Sequence, residues 1–188
     1  MDYLMLPDMI FFTGVPGSRW SGIAQEMKQN PKFNSTDRTP NRKYLHEEYS
    51  GHIDAYFGTG MEFPANPAEG GLCQTNLNKP FSSWEKSTGC KLLMSHEWPY
   101  YFEEIIQKYP NEWIQLVYRE NQKSFEWWKQ AGGFNISYPN YGWFKDDITM
   151  MSRIEEINYL ILDFAQKHKL TWVQHPKHNN IFITTYKA

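Results

Sequence analysis

Between residues 90 and 187 short apolar runs alternate with amphipathic stretches, and this alternation restricts the fold more than any other feature of the chain. "CKLLMSH" and "WIQLVYR" read as buried strands. "PYYFEEIIQKY", with Pro99 suited to a first helical turn, and "SFEWWKQAG", closed by glycines, read as helices. Residues 145 to 169 form one long helical stretch, and "NIFITTYK" is a last strand expected at a sheet edge. The chain opens in the same order: Met9 to Thr13 is a short apolar run ending at Gly14, and Ser21 to Gln29 continues as a helix that stops at "NPK". Strands separated by helices predict an α/β fold, a three-layer sandwich with a central, mainly parallel sheet. A length of 188 residues suits one domain spanning 1–188 with a single core.

Residues 30 to 80 interrupt this pattern. They are dense in Pro, Gly and Asn, with a possible helix in "NRKYLHEEYS", and a compact domain rarely keeps such a stretch wholly irregular. The expectation is a substrate-facing cover over the site. "FSSWEKSTG" then reads as a helix capped by Ser82 or Ser83. Charged residues make up 21% of the chain and the formal net charge is −2, which argues against a nucleic-acid partner and requires any basic site to be local. Cys73 and Cys90 match no zinc or redox spacing and suit reduced thiols. The start, "MDYLMLPDMIFF", lacks a basic lead and a long apolar run, so a soluble, cytoplasmic protein without a membrane span is expected.

The chemistry starts at "FFTGVPGSRWSGIAQ". Backbone N–H groups at a helix start, helped by the helix dipole, bind phosphate oxygens, and glycines let the chain approach them closely. From Gly14 to Ser21 the spacing follows G-x-x-x-x-G-K-[ST], but Arg19 stands at the second glycine and Trp20 at the lysine. A triphosphate and magnesium grip is therefore not expected. Arginine can instead hold phosphate oxygens in two parallel bonds, with the hydroxyls of Ser18 and Ser21 as further donors. An ordinary strand-to-helix turn is the alternative.

"TGVPGSRWSG" resembles the 5′-phosphosulfate loop of sulfotransferases. Two later stretches extend the resemblance: "KLLMSHEWP" is similar to the family's strand ending in a catalytic histidine, and "WIQLVYRENQKSFEWW" to its 3′-phosphate strand and helix. Together they span residues 9 to 130. The resemblance implies a P-loop nucleoside triphosphate hydrolase-like fold, 3′-phosphoadenosine 5′-phosphosulfate as donor, a hydroxyl or amine acceptor and no metal. Gly14, Gly17, Ser18, Arg19, Trp20, Ser21 and Gly22 would form the donor loop, with Arg119 on the 3′-phosphate and Ser124 as its helper. The family's serine lies eight residues past its arginine, where this chain has Trp127; Ser124 is five past Arg119. The chain is short for the family, as its small bacterial or viral members are.

Sulfuryl transfer asks for in-line positioning, for charge stabilisation on the leaving phosphate and for a base to take the acceptor proton. Arg19 is the candidate for the charge. His96, at the predicted C-terminal end of a strand, is the candidate base, because crevices in open parallel sheets lie at that edge. Glu97 is its nearest competitor, and Glu62 in the cover is a third. His96 as a satisfied strand-end residue is the non-catalytic reading. Lys123 is either a support for the 3′-phosphate or a solvated lysine, and Trp127 and Trp128 either pack in the core or stack on adenine. His46, Glu47, His52 and Asp54 in "HEEYSGHID" have no metal-ligand spacing, and His175 and His178 in "QHPKHNN" are expected in an exposed turn. Two rival functions stay open: a nucleotide-binding module without catalysis, and a P-loop kinase.

Overall fold

The apolar runs become strands of one mixed six-stranded sheet in the computed structural model, which describes residues 6–36, 60, 88–135 and 145–187. The strands are β1 (Met9–Gly14), β2 (Phe33–Asn34), β3 (Cys90–Met94), β4 (Trp113–Arg119), β5 (Val173–His175) and β6 (His178–Tyr186), in the spatial order β2-β3-β1-β4-β6-β5. The first four run parallel, and β6 and β5 complete the sheet as an antiparallel hairpin. Four α-helices are described: α1 (Trp20–Lys28), α2 (Phe102–Lys108), α3 (Asn121–Gln130) and α4 (Asp147–Lys167). Pro99 sits in a 3₁₀ turn, Trp98–Tyr101, that leads into α2. No helix among the described residues is long and apolar enough to cross a membrane.

Strand alternation divides the core into two layers. From β1, Ile10 and Phe12 face α1, which contributes Trp20, Ile23 and Ala24 at helical spacing. Met9 and Phe11 face the other side and pack with Trp98, Phe102, Trp128 and the α4 stripe Met150, Ile154, Ile157, Ile161 and Phe164. Helices thus cover both faces of the sheet. The long helix α4 starts cleanly because Asp146 accepts from the Thr149 N–H at 2.8 Å while the Thr149 hydroxyl takes the Asp146 N–H, a reciprocal cap.

One expectation is corrected here. The strand in "NIFITTYK" is not at the edge: β6 lies between β4 and β5, and the three-residue β5 takes the edge. Within the 30 to 80 stretch, Phe33–Asn34 pair with β3, and Gly60 accepts a 2.7 Å hydrogen bond from the Met94 N–H. Residues 37–59 and 61–80, with "NRKYLHEEYS", "HEEYSGHID", Glu62 and Cys73, lie outside the described residues, as does "FSSWEKSTG" up to Ser87.

The hairpin also corrects the reading of His175 and His178. His175 is buried, its ring stacks on that of His178 at 4.9 Å and 18°, and Lys177 at the turn reaches Glu26 of α1 at 2.8 Å. Burial holds both imidazoles below their ordinary value; the charges of Arg19 and Lys177 act in the same direction, and that of Glu26 opposes them. A depressed histidine binds fewer protons in the native state than in the unfolded chain, so its stabilisation is present above about pH 6.5 and is lost as the pH falls through the native values. The lowered Glu26 carboxyl acts in a more acidic window, below its ordinary 4.5. Unfolding free energy should therefore decline between pH 7.5 and pH 5. The decline should flatten in a His175→Gln/His178→Gln variant followed by urea denaturation, and an unchanged slope would remove the pair as its cause.

Candidate functional site

Because β1, β3 and β4 are parallel and in register, with Phe12 opposite Met94 and Gly14 opposite Val117, their C-terminal ends share one edge of the sheet. The turn after β1, the His96 segment after β3, and Arg119 closing β4 all lie along it. In open α/β sheets this is the edge that binds ligands.

The turn is shaped by two residues in the left-handed region. Gly17 has φ 80°, and a Cβ there would lie 1.9 Å from the Ser124 carbonyl oxygen, so only glycine lets the loop press against α3. Arg19, immediately before α1, has φ 63°. That conformation explains why the phosphate-loop template has glycine at this position; a non-glycine residue there costs on the order of 1 kcal/mol and is found where surrounding structure and function hold it. Ser18 is fully buried, its hydroxyl donating to the Val15 carbonyl at 2.8 Å. Ser21 is buried in the first turn of α1, followed by half-buried Gly22. Trp20, at the template's lysine position, is 5% exposed and packs on Phe12, so its indole belongs to the core below the loop. Gly14 is tight against that side chain and the Ser18 hydroxyl.

Arg119 joins this turn from 102 residues away. Its side chain is 9% exposed, and one Nη donates to the Gly17 carbonyl at 3.0 Å. Its Nε is buried and meets no acceptor among the described residues. An unmet guanidinium N–H is costly in a protein interior and marks a place where an anionic oxygen would be favoured. Burial and then the charge of Arg19 push the Arg119 guanidinium below its ordinary value. It remains a cation, since arginine starts so high.

The two arginines share one seat. The guanidinium carbon of Arg19 is 5.1 Å from the ring centroid of Trp127 on α3, and that of Arg119 is 5.8 Å from the same ring. Each such contact is worth about 0.5–2 kcal/mol. Two like charges gathered at one ring repel each other, so ring attraction and mutual repulsion act in opposite directions. An arrangement balanced in this way gains most from a ligand that brings negative charge.

Ser124 and His96 have different surroundings. The Ser124 hydroxyl donates to the Arg119 carbonyl at 3.2 Å, and Asn158 of α4 donates its amide to the same carbonyl at 2.8 Å and to Asn121 at 2.6 Å. Ser124 thus ties down the end of β4. The carboxylate of Glu120 caps α3 by accepting from the N–H groups of Gln122 and Lys123, and Lys123 Nζ pairs with Glu126 at the surface. Trp128 is buried in the core. His96 is 3% exposed, and its ring meets that of Trp20 edge-on at 6.3 Å, on the α1 side of the sheet. Glu97 turns the other way, to Arg153 of α4 at 3.7 Å. Neighbours in sequence, the two candidate bases belong to opposite faces.

Asn158, Arg153 and the role of Trp127 were not anticipated from the sequence. Asn158 had a signal: it lies on the same face of α4 as Ile154, Ile157 and Ile161, where a polar side chain needs a buried partner. Arg153 and the shared seat had none, because their partners are distant in sequence. Compared with protein-family models, with curated proteins and with solved structures, the chain has no match in any of the three.

Proposed function

We propose that this chain is a sulfotransferase of the P-loop type that moves a sulfuryl group from 3′-phosphoadenosine 5′-phosphosulfate to a hydroxyl or amine. The observation that carries the reading is the meeting of Arg19 and Arg119 over Trp127, with the buried Nε of Arg119 lacking an acceptor among the described residues. Two cations from separate segments, meeting one indole at the C-terminal edge of the parallel strands, suit a nucleotide whose 3′- and 5′-phosphates flank a single ribose. The residues fit such a donor without a metal: Arg119 would take the 3′-phosphate, and Arg19 with the N–H groups at the start of α1 would take the 5′ end.

In the transfer the acceptor oxygen or nitrogen bonds to sulfur as the bond from sulfur to the 5′-phosphate oxygen breaks. Arg19 stabilises the charge gathering on that phosphate, and His96 accepts the proton of the acceptor. Glu97, engaged by Arg153, is the weaker base candidate, and Ser124 acts through the Arg119 carbonyl. A kinase reading is disfavoured by Trp20, which fills the lysine position with a core indole. Binding without turnover is the second reading, favoured by the burial of His96.

Thermal unfolding tests the donor class. A ligand that binds only the native state stabilises by RT ln(1 + [L]/Kd), about 2.7 kcal/mol at a hundredfold excess over Kd. The Tm should rise clearly with 3′,5′-diphosphoadenosine in the presence of a chelator and little with ATP and magnesium. Arg19→Ala should erode the first response. A shift with ATP and magnesium alone would replace the sulfotransferase reading by the kinase, and a shift with neither would leave the loop an ordinary turn.

A further inference from the structure

We propose that Trp127 is the positioning residue of the anion site: its indole meets both guanidiniums, so that Arg19 and Arg119 stand ready as one two-pronged clamp for a doubly charged phosphate or sulfate ligand. The proposal rests on the reading of the two arginines as an anion site, and it does not depend on which nucleotide is the donor. Trp127 is half-buried on α3, whose first turn is locked by Glu120, and its neighbour Trp128 is fixed in the core, so the ring is carried by a rigid element. Arg119 reaches the ring from the end of β4 with its carbonyl held by Asn158 and Ser124. Arg19 reaches it from the residue just before α1, in a left-handed conformation that its place in the turn imposes. Three elements thus converge on one indole. The negative face of the ring offsets part of the repulsion between the two cations, which would otherwise drive them apart and leave a ligand the cost of gathering them.

This separates Trp127 from two other roles that the same side chain could play. A ring that stacks on adenine would matter only for ligands with a base, whereas a seat for arginines matters for any dianion. A ring that merely packs would matter for stability and not for affinity. Attraction for a cation falls from Trp through Tyr and Phe and vanishes with an aliphatic side chain.

The test measures Kd by calorimetry for two probes, 3′,5′-diphosphoadenosine and inorganic pyrophosphate, in the full chain and in Trp127→Tyr, Trp127→Phe and Trp127→Leu, with Tm recorded for each. The expected result is a loss of about tenfold or more for both probes in Trp127→Leu, with Trp127→Phe and Trp127→Tyr retaining part of the affinity and the losses not following Tm. A Trp127→Leu chain that binds both probes as the parent does overturns the proposal. So does a loss confined to the nucleotide, which would assign the ring to the base. If the leucine variant does not fold, equal affinity of the parent and the phenylalanine variant for both probes overturns it as well. A parent chain that binds pyrophosphate and not the nucleotide would retire the proposed donor, and the pyrophosphate series would still decide Trp127. A parent that binds neither would overturn the anion site and the seat together.

Discussion

Arg119→Ala should weaken binding of 3′,5′-diphosphoadenosine by about 2–4 kcal/mol, roughly 30- to 1,000-fold, as truncation of a desolvated charge partner does. Adenosine 5′-monophosphate, which lacks the 3′-phosphate, should lose far less. The expectation follows from burial: Arg119 is 9% exposed, and its Nε finds no acceptor among the described residues, so an incoming phosphate meets a cation already stripped of water. Arg119 also donates to the Gly17 carbonyl and so steadies the loop. Arg119→Lys separates the two duties, because an ammonium keeps the charge but cannot fork between the Gly17 carbonyl and a phosphate oxygen. Its affinity should fall between those of the parent and the alanine variant. Equal losses for the two nucleotides in Arg119→Ala would assign the residue to loop structure instead of the 3′-phosphate.

His96→Ala should lower turnover by about 10²–10⁴-fold while donor binding persists, the signature of a general base removed from a formed site. The placement behind this is just past the end of β3, against Trp20. His96→Gln is the companion variant, since it keeps much of the volume and leaves the core around Trp20 filled. Near-normal turnover in a folded His96 variant would move proton transfer to Glu97, and Glu97→Gln would then be the variant that loses activity. Loss of donor binding in His96→Ala would indicate that its packing on Trp20 supports the loop.

Much of the fold was legible because its signals are local. The β1-turn-α1 unit, β3, β4, α3 and α4 each carry their own period: alternating or continuous apolar residues for the strands, and Met150, Ile154, Ile157 and Ile161 at helical spacing for α4. The edge strand β5 was missed because two of its three residues are exposed and no apolar pattern marks it; hydrogen bonds to β6 alone define it. The site was legible by residue type more than by role. Arg19, His96 and Arg119 all lie along the C-terminal edge of the parallel strands, but Glu97 beside His96 turns to Arg153, and Ser124 spends its hydroxyl on the Arg119 carbonyl. Side-chain direction at the end of a strand changes with each residue, so adjacent positions in the sequence are poor guides to a shared site.

By itself the sequence determined the alternation of strands and helices, the glycine-bearing turn before α1, and the presence of an arginine in that turn and another at the end of β4. Those follow from backbone preferences and from hydrophobic period, which act over a few residues. Only the tertiary structure decided that β1 lies between β3 and β4, that the hairpin adds antiparallel at one edge, and that Gly17 presses against α3. It alone decided that Arg19 and Arg119, a hundred positions apart, rest on the same indole. The reason is that pairing order and side-chain convergence are settled by which faces must be buried together, a condition on the whole chain that no short stretch carries.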